Sequence, residues 1–168
     1  MLNAITKGID FLIEKQGQLT SFLIVPLLFI VLYEVLMRYA FNAPTVWGFE
    51  ATAFAYGMHY MLGLSFMENA QGHVRVDIVT GRLPKRVQAV VMIVGYLIIF
   101  LPVYGLMTWG AFKFAHTATI TNELNSTSWA PRIWPYKIAM AVSFLFLLLQ
   151  GLSTMLKQVQ FLTGKSES

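Results

Sequence analysis

Four stretches of this chain run for 17 residues or more without a single Asp, Glu, Lys or Arg. They are Gln16–Tyr33, Ala51–Met67, Val87–Phe112 and Ile138–Leu156, with 18, 17, 26 and 19 residues. An α-helix rises about 1.5 Å per residue, so crossing an apolar slab of roughly 30 Å takes about 20 residues. Backbone polar groups in lipid must be satisfied within their own segment, which selects helices, and the strict alternation of a barrel strand is absent. The first two stretches reach full length by taking in charged end residues, Glu34 and Arg38 in one and Glu50 in the other. Charged residues make up only 12% of the 168, about half the share of a soluble domain, too few to hydrate a folded surface. The expected fold is an all-α membrane protein forming one four-helix domain over residues 1–168, with spans near 18–39, 47–67, 86–111 and 134–157.

The N-terminus is not patterned as a cleaved signal peptide. Such a peptide places an apolar region of about 7–15 residues behind a basic start, whereas Lys7, Asp10, Glu14 and Lys15 give a neutral leader before a longer run. The first span is read as retained. A short interfacial helix over residues 2–14 precedes it, with Ile5, Ile9, Leu12 and Ile13 on one face suited to the membrane surface.

Orientation follows from the distribution of Lys and Arg. Four spans put the N-terminus, the second loop and the C-terminus on one side, with eight Lys and Arg against four on the other. Both termini are therefore expected in the cytoplasm, with Trp47, Trp109, Trp129 and Trp134 near the opposite interface. The net charge of +4 is spread over separate loops, which excludes a nucleic-acid face. Cysteine is absent, so disulfides and thiolate chemistry are excluded.

The first connection, Ala40–Val46, reads as a tight hairpin turned by Asn42-Ala43-Pro44. The second, Glu68–Arg86, is the most polar segment, and Pro84 is placed to open the third helix. The third, Lys113–Lys137, is long for a connector; contact with another molecule and plain linker duty are both open to it.

Ionisable groups within spans are the first functional candidates. Glu34 and Arg38, four apart, share a helical face, and Glu50 lies across the hairpin in the first turn of the second span. Arg38 bridging Glu34 and Glu50 would lock the hairpin; the alternative is a proton- or cation-coupling carboxylate at Glu34. His59 is the one histidine deep in a span, on a moderately polar stripe with Thr52, Tyr56, Gly63 and Phe66. It suits a hydrogen-bonded helix contact; as a haem ligand it lacks a partner, because His73 and His116 fall in expected loops. Ala51 and Ala55, and Ala53 and Gly57, would allow close helix approach. Pro102 is expected to kink the third helix by clashing with the carbonyl of Ile98. No catalytic constellation, metal-ligand spacing or phosphate-cradling glycine loop is present in the sequence, so neither enzymatic function nor a cofactor is expected.

The ordered motifs Arg38-Tyr39-x-Phe41, Trp47-x-x-Glu50 and His73-Val74-Arg75-Val76-Asp77 with Pro84 following, then Glu123-Leu124 with Trp129, Pro131, Trp134 and Pro135, resemble the DctQ-like small subunit of tripartite ATP-independent periplasmic (TRAP) transporters. The likeness runs over about residues 15–156. It implies an accessory membrane subunit of a sodium-coupled transporter for an organic anion such as a carboxylate. It implies a heterodimer with a large transmembrane subunit, a soluble periplasmic substrate-binding protein and a location in the bacterial inner membrane. Arg38, Trp47 and Glu50 would then fix the outer hairpin, and His73, Arg75 and Asp77 would organise the cytoplasmic face. Two other readings remain: a stand-alone four-helix exporter coupled to protons through Glu34, and a haem-bearing anchor of a respiratory enzyme.

Overall fold

The computed structural model of the chain describes residues 2–70 and 83–164. Their regular elements are helices: α1 (Leu2–Ser21), α2 (Ile24–Tyr39), α3 (Gly48–Asn69), α4 (Lys85–Gly95), α5 (Leu101–Ile120) and α6 (Trp134–Leu162). α1 and α2 form one rod broken at Phe22–Leu23, and α4 passes into α5 through a π-helical turn at Tyr96–Phe100. The described residues thus make four rods. Three of them, Asn3–Tyr39, Lys85–Ile120 and Trp134–Leu162, are long and apolar enough to cross a membrane. The fourth, α3, has 22 residues and a length of about 33 Å, but carries Glu50 and Glu68 near its ends.

The rods lie roughly in a row with α3 and α6 in the middle, except that α1 also reaches past α3 to α6. These two run parallel: Phe54 packs on Tyr136 near the start of α6, and Asn69 meets Gln150 further along. The α1–α2 rod flanks α3 antiparallel, with Asp10 beside Asn69, Thr20 beside His59 and Glu34 beside Thr45 and Gly48. The α4–α5 rod flanks α6, with Phe100 against Gly151 and Ala111 and Ala115 packed with Ala141. Direction alternates along the chain, so α1 begins and α6 finishes at the same end of the row.

Among the described residues, what is buried is mostly small or polar, with Ile13 and Leu147 the large apolar exceptions. Ser65, Gln150 and Ser153 are fully enclosed, whereas Leu19, Phe22, Leu106 and Trp109 are exposed. Lipid tails are as apolar as leucine, so nothing drives large side chains inward; close backbone approach and hydrogen bonds between helices do the packing instead. A Cβ on Gly17 would overlap the ring of Phe66, and one on Gly151 would overlap Phe100. Gly57 meets Tyr136 in the same way, while Ala53 is exposed.

The N-terminal segment differs from the expectation of a separate interfacial helix over 2–14. α1 is continuous to Ser21 and packs along α3 and α6. Ile13 is fully buried, while Ile5 and Leu12, expected on the same face, are exposed. The reason is that α1 turns a polar face inward: Thr6, Gln16 and Thr20 are buried or half-buried, where they find partners that lipid cannot give. The break falls at Phe22–Leu23 because Pro26 has no N–H for the carbonyl of Phe22 and its ring crowds that carbonyl. The chain tightens instead, with Leu23 N donating to Thr20 O (3.0 Å) and Val25 N to Phe22 O (3.1 Å), both i→i−3 bonds.

Pro102 has the same handicap and a different remedy. The turn before it widens, and Leu101 N reaches back five residues to Tyr96 O, so the rod continues. α5 then runs to Ile120, well past the expected end near 111, and shortens the third connection to residues 121–133. That connection is folded. Leu124 and Arg132 form an isolated antiparallel bridge, and Asn125 N donates to Pro131 O at 2.9 Å.

Candidate functional site

The polar groups gather at the two ends of the row and in one groove between them. At the end nearer the termini, Asp10 of α1 is the centre. Its Oδ2 pairs with Lys157 Nζ at 2.6 Å, and its Oδ1 accepts from Ser153 Oγ (2.9 Å) and Gln150 Nε2 (3.2 Å). The same Gln150 amide donates to Asn69 Oδ1 at 3.1 Å. Three helices, α1, α3 and α6, are thus tied by side chains from distant parts of the sequence. The sequence reading singled out none of these residues; the one available signal was an acid, Asp10, in a helix that also carries Thr6, Gln16 and Thr20 at inward positions.

At the opposite end, Glu34 and Arg38 pair as expected, with Arg38 Nη2 at 2.7 Å from Glu34 Oε1. The other carboxylate oxygen accepts from the hydroxyl and the N–H of Thr45. Thr45 Oγ1 in turn receives Gly48 N–H at 3.0 Å, which caps the start of α3. Asn42 takes a positive φ of 49°, a conformation Asn tolerates better than most residues, and this closes the hairpin. Trp47 stacks on Tyr33 at 5.7 Å.

Glu50 departs from the expected bridge to Arg38. It accepts from Asn125 Nδ2 at 3.2 Å and so ties α3 to the third connection. Beside it, the nearly buried Lys137 ammonium pairs with Glu123 at 2.6 Å and stands over the Phe114 ring at 3.5 Å. Ile133 N–H donates to Glu123 O at 3.0 Å. The motif residue Glu123 therefore ties the third connection to the start of α6.

His59 lies where the polar stripe was expected. Its Nδ1 is 3.1 Å from the carbonyl oxygen of Thr20, which can only accept, so that nitrogen carries the proton. Tyr56 and Tyr60, with rings 4.6 Å apart, flank it. Together with Gly17, Gly63 and, on either side of the α1–α2 break, Ser21 and Ile24, they line an open, mainly apolar groove of about 550 Å³. His116 falls on α5 and not in a loop, and its side chain is exposed. His73, Arg75 and Asp77 lie outside the described residues.

These contacts tie the helices to one another. Residues 27–161 match the family described as tripartite ATP-independent periplasmic transporters, DctQ component. Over 139 residues, 82% of its length, the chain is 25% identical to the sialic acid TRAP transporter permease protein SiaT of Haemophilus influenzae (strain 86-028NP). It spans about a fifth of that relative, 21% of its length. The three apolar rods and this match make the chain a multi-pass membrane protein, and it belongs to the DctQ component family of tripartite ATP-independent periplasmic transporters.

Proposed function

We propose that the chain is the small, accessory membrane subunit of a sodium-coupled, binding-protein-dependent uptake system for an organic anion such as a carboxylate. The observation that carries this reading is the family match over residues 27–161, joined to the fact that the chain corresponds to a fifth of a relative named as a sialic acid permease protein. A large transport subunit, with which this chain forms a heterodimer, supplies the rest of the machinery. The small subunit braces that companion, and a soluble periplasmic protein delivers the solute. In this reading all four rods cross the bacterial inner membrane as one domain, α3 included, because its length matches the apolar slab. The excess of Lys and Arg puts both termini in the cytoplasm.

The disposition of ionisable groups supports bracing over transport or catalysis. Both oxygens of Glu34 are engaged within the hairpin, which suits a lock better than a proton-coupling site. His59 is tied to a backbone carbonyl, as expected of a helix contact. The test is uptake of the cognate acid by cells expressing the large subunit and binding protein with and without this chain. Sodium-dependent uptake should require it, and full uptake in its absence overturns the proposal. Glu34→Gln should leave uptake rates unchanged at saturating sodium, whereas abolished uptake would move Glu34 into the coupling machinery.

A further inference from the structure

The groove beside His59 sets hydrogen-bonding groups where lipid offers nothing to bond. Tyr56 and Tyr60 fall at the middle of α3 and are 52% and 58% exposed. Tyrosine in membrane proteins favours the headgroup level, where its hydroxyl meets water; here two sit near the centre of the apolar stretch Ala51–Met67. One hydroxyl can donate to the other, which leaves the second O–H over. His59 turns Nδ1 to Thr20 O and its ring lines the same groove, so Nε2 is the nitrogen left to meet a polar group there. The groove exists because Pro26 forces the α1–α2 break, and Gly63 keeps it open, with no atom within 4 Å of where a Cβ would stand.

We infer that this groove seats a membrane-spanning helix of the large transport subunit, one that offers a backbone carbonyl or polar side chain to Tyr56, Tyr60 and His59. The inference rests on the reading of the chain as the small subunit. An acyl chain fills such a volume but satisfies neither the hydroxyl nor the imidazole. A second copy of this chain is disfavoured by the relative, in which the corresponding fifth is joined to four fifths of further polypeptide. That arrangement makes the larger remainder the companion always at hand.

The absence of cysteine makes a single introduced thiol unique. Gly63→Cys in the groove and Leu106→Cys on the exposed face of α5 are each labelled with a benzophenone maleimide, on affinity-tagged full chain in native-host membranes. Irradiation should join Gly63→Cys, and not Leu106→Cys, to the large TRAP subunit, identified by mass spectrometry. Tyr56→Phe with Tyr60→Phe should cut that adduct several-fold while helix content and thermal melting stay at the unsubstituted values. An adduct only from Leu106→Cys, a self-adduct from Gly63→Cys, or lipid alone at Gly63→Cys while the two subunits still co-purify overturns the inference and leaves the heterodimer standing. Failure of the tagged chain to co-purify with the large subunit overturns the heterodimer itself, and this inference with it.

Discussion

At the end of the row near the termini, Asp10 meets Lys157 from the other extreme of the chain, with Gln150 and Ser153 adding two more donors. At the opposite end, Glu34 and Arg38 are four residues apart on one helix, and Thr45 is only a hairpin away. The first cluster closes α1 onto α3 and α6; the second closes a turn that neighbouring residues already favour. Exposure does not separate them: the Glu34 and Arg38 side chains are 11% and 50% exposed, those of Asp10 and Lys157 25% and 38%. What differs is reach, since losing the Asp10 carboxylate opens a cluster that ties three helices and losing the Glu34 charge affects one hairpin. The termini end should therefore hold most of the stability that polar groups give this protein.

The strongest way to break this contrast is Asp10→Ala. It unpairs Lys157 and takes away an acceptor from Ser153 and from Gln150, which keeps Asn69; partial exposure of the pair puts the expected loss at about 2–3 kcal/mol, below the full cost of a broken buried ion pair. Denaturant unfolding in detergent measures it, and a loss no larger than that of Glu34→Gln removes the distinction. Lys137→Met comes next. The Lys137 side chain is 5% exposed but that of Glu123 is 42% exposed, so about 1–2 kcal/mol is expected. The same unfolding assay, read beside limited proteolysis of the connection 121–133, should show both stability and loop protection falling. Gln150→Leu removes two interhelical hydrogen bonds, each worth about 0.6 kcal/mol in membrane proteins. A double-mutant cycle with Asn69→Ala should return a coupling of that size, and zero coupling would take Gln150 out of the clasp. Glu34→Gln is the smallest, because the amide oxygen can still accept from Arg38 or Thr45. Most of that difference should vanish in high salt, since Arg38 is half exposed and open to screening, whereas the Asp10→Ala loss, which includes hydrogen bonds from Ser153 and Gln150, should persist.

The same division decides what the amino acids alone reveal. Glu34 with Arg38, the Asn42 turn and the helix contact of His59 were legible because each is local or follows helical spacing. Asp10 with Lys157 was not, since nothing in a linear pattern says which distant acid meets which distant base. Charge-free runs located the rods but misplaced their ends. Lys113 and His116 mark where lipid stops suiting the side chains, yet backbone bonding carries α5 on to Ile120. Pro26 was readable in principle. It sits four residues past Phe22, the spacing at which proline obstructs a helical carbonyl, but its apolar neighbours hid the break. The polar segment with His73, Arg75 and Asp77 lies outside the described residues, so its proposed role in organising the cytoplasmic face still rests on the family resemblance.

The register of the rods has a geometric consequence. Midpoints of the charge-free runs do not lie level with one another. Through the pairs Thr20 with His59, Asn69 with Gln150 and Phe100 with Gly151, each midpoint is stepped the same way from its neighbour. The steps sum to roughly 23 Å along the axes. In the reading that all four rods cross, an apolar layer covering every midpoint meets the axes obliquely, as a banister meets the treads of a staircase. The three rods of 29 to 37 residues would then fit a bilayer thinner than they are long by leaning together.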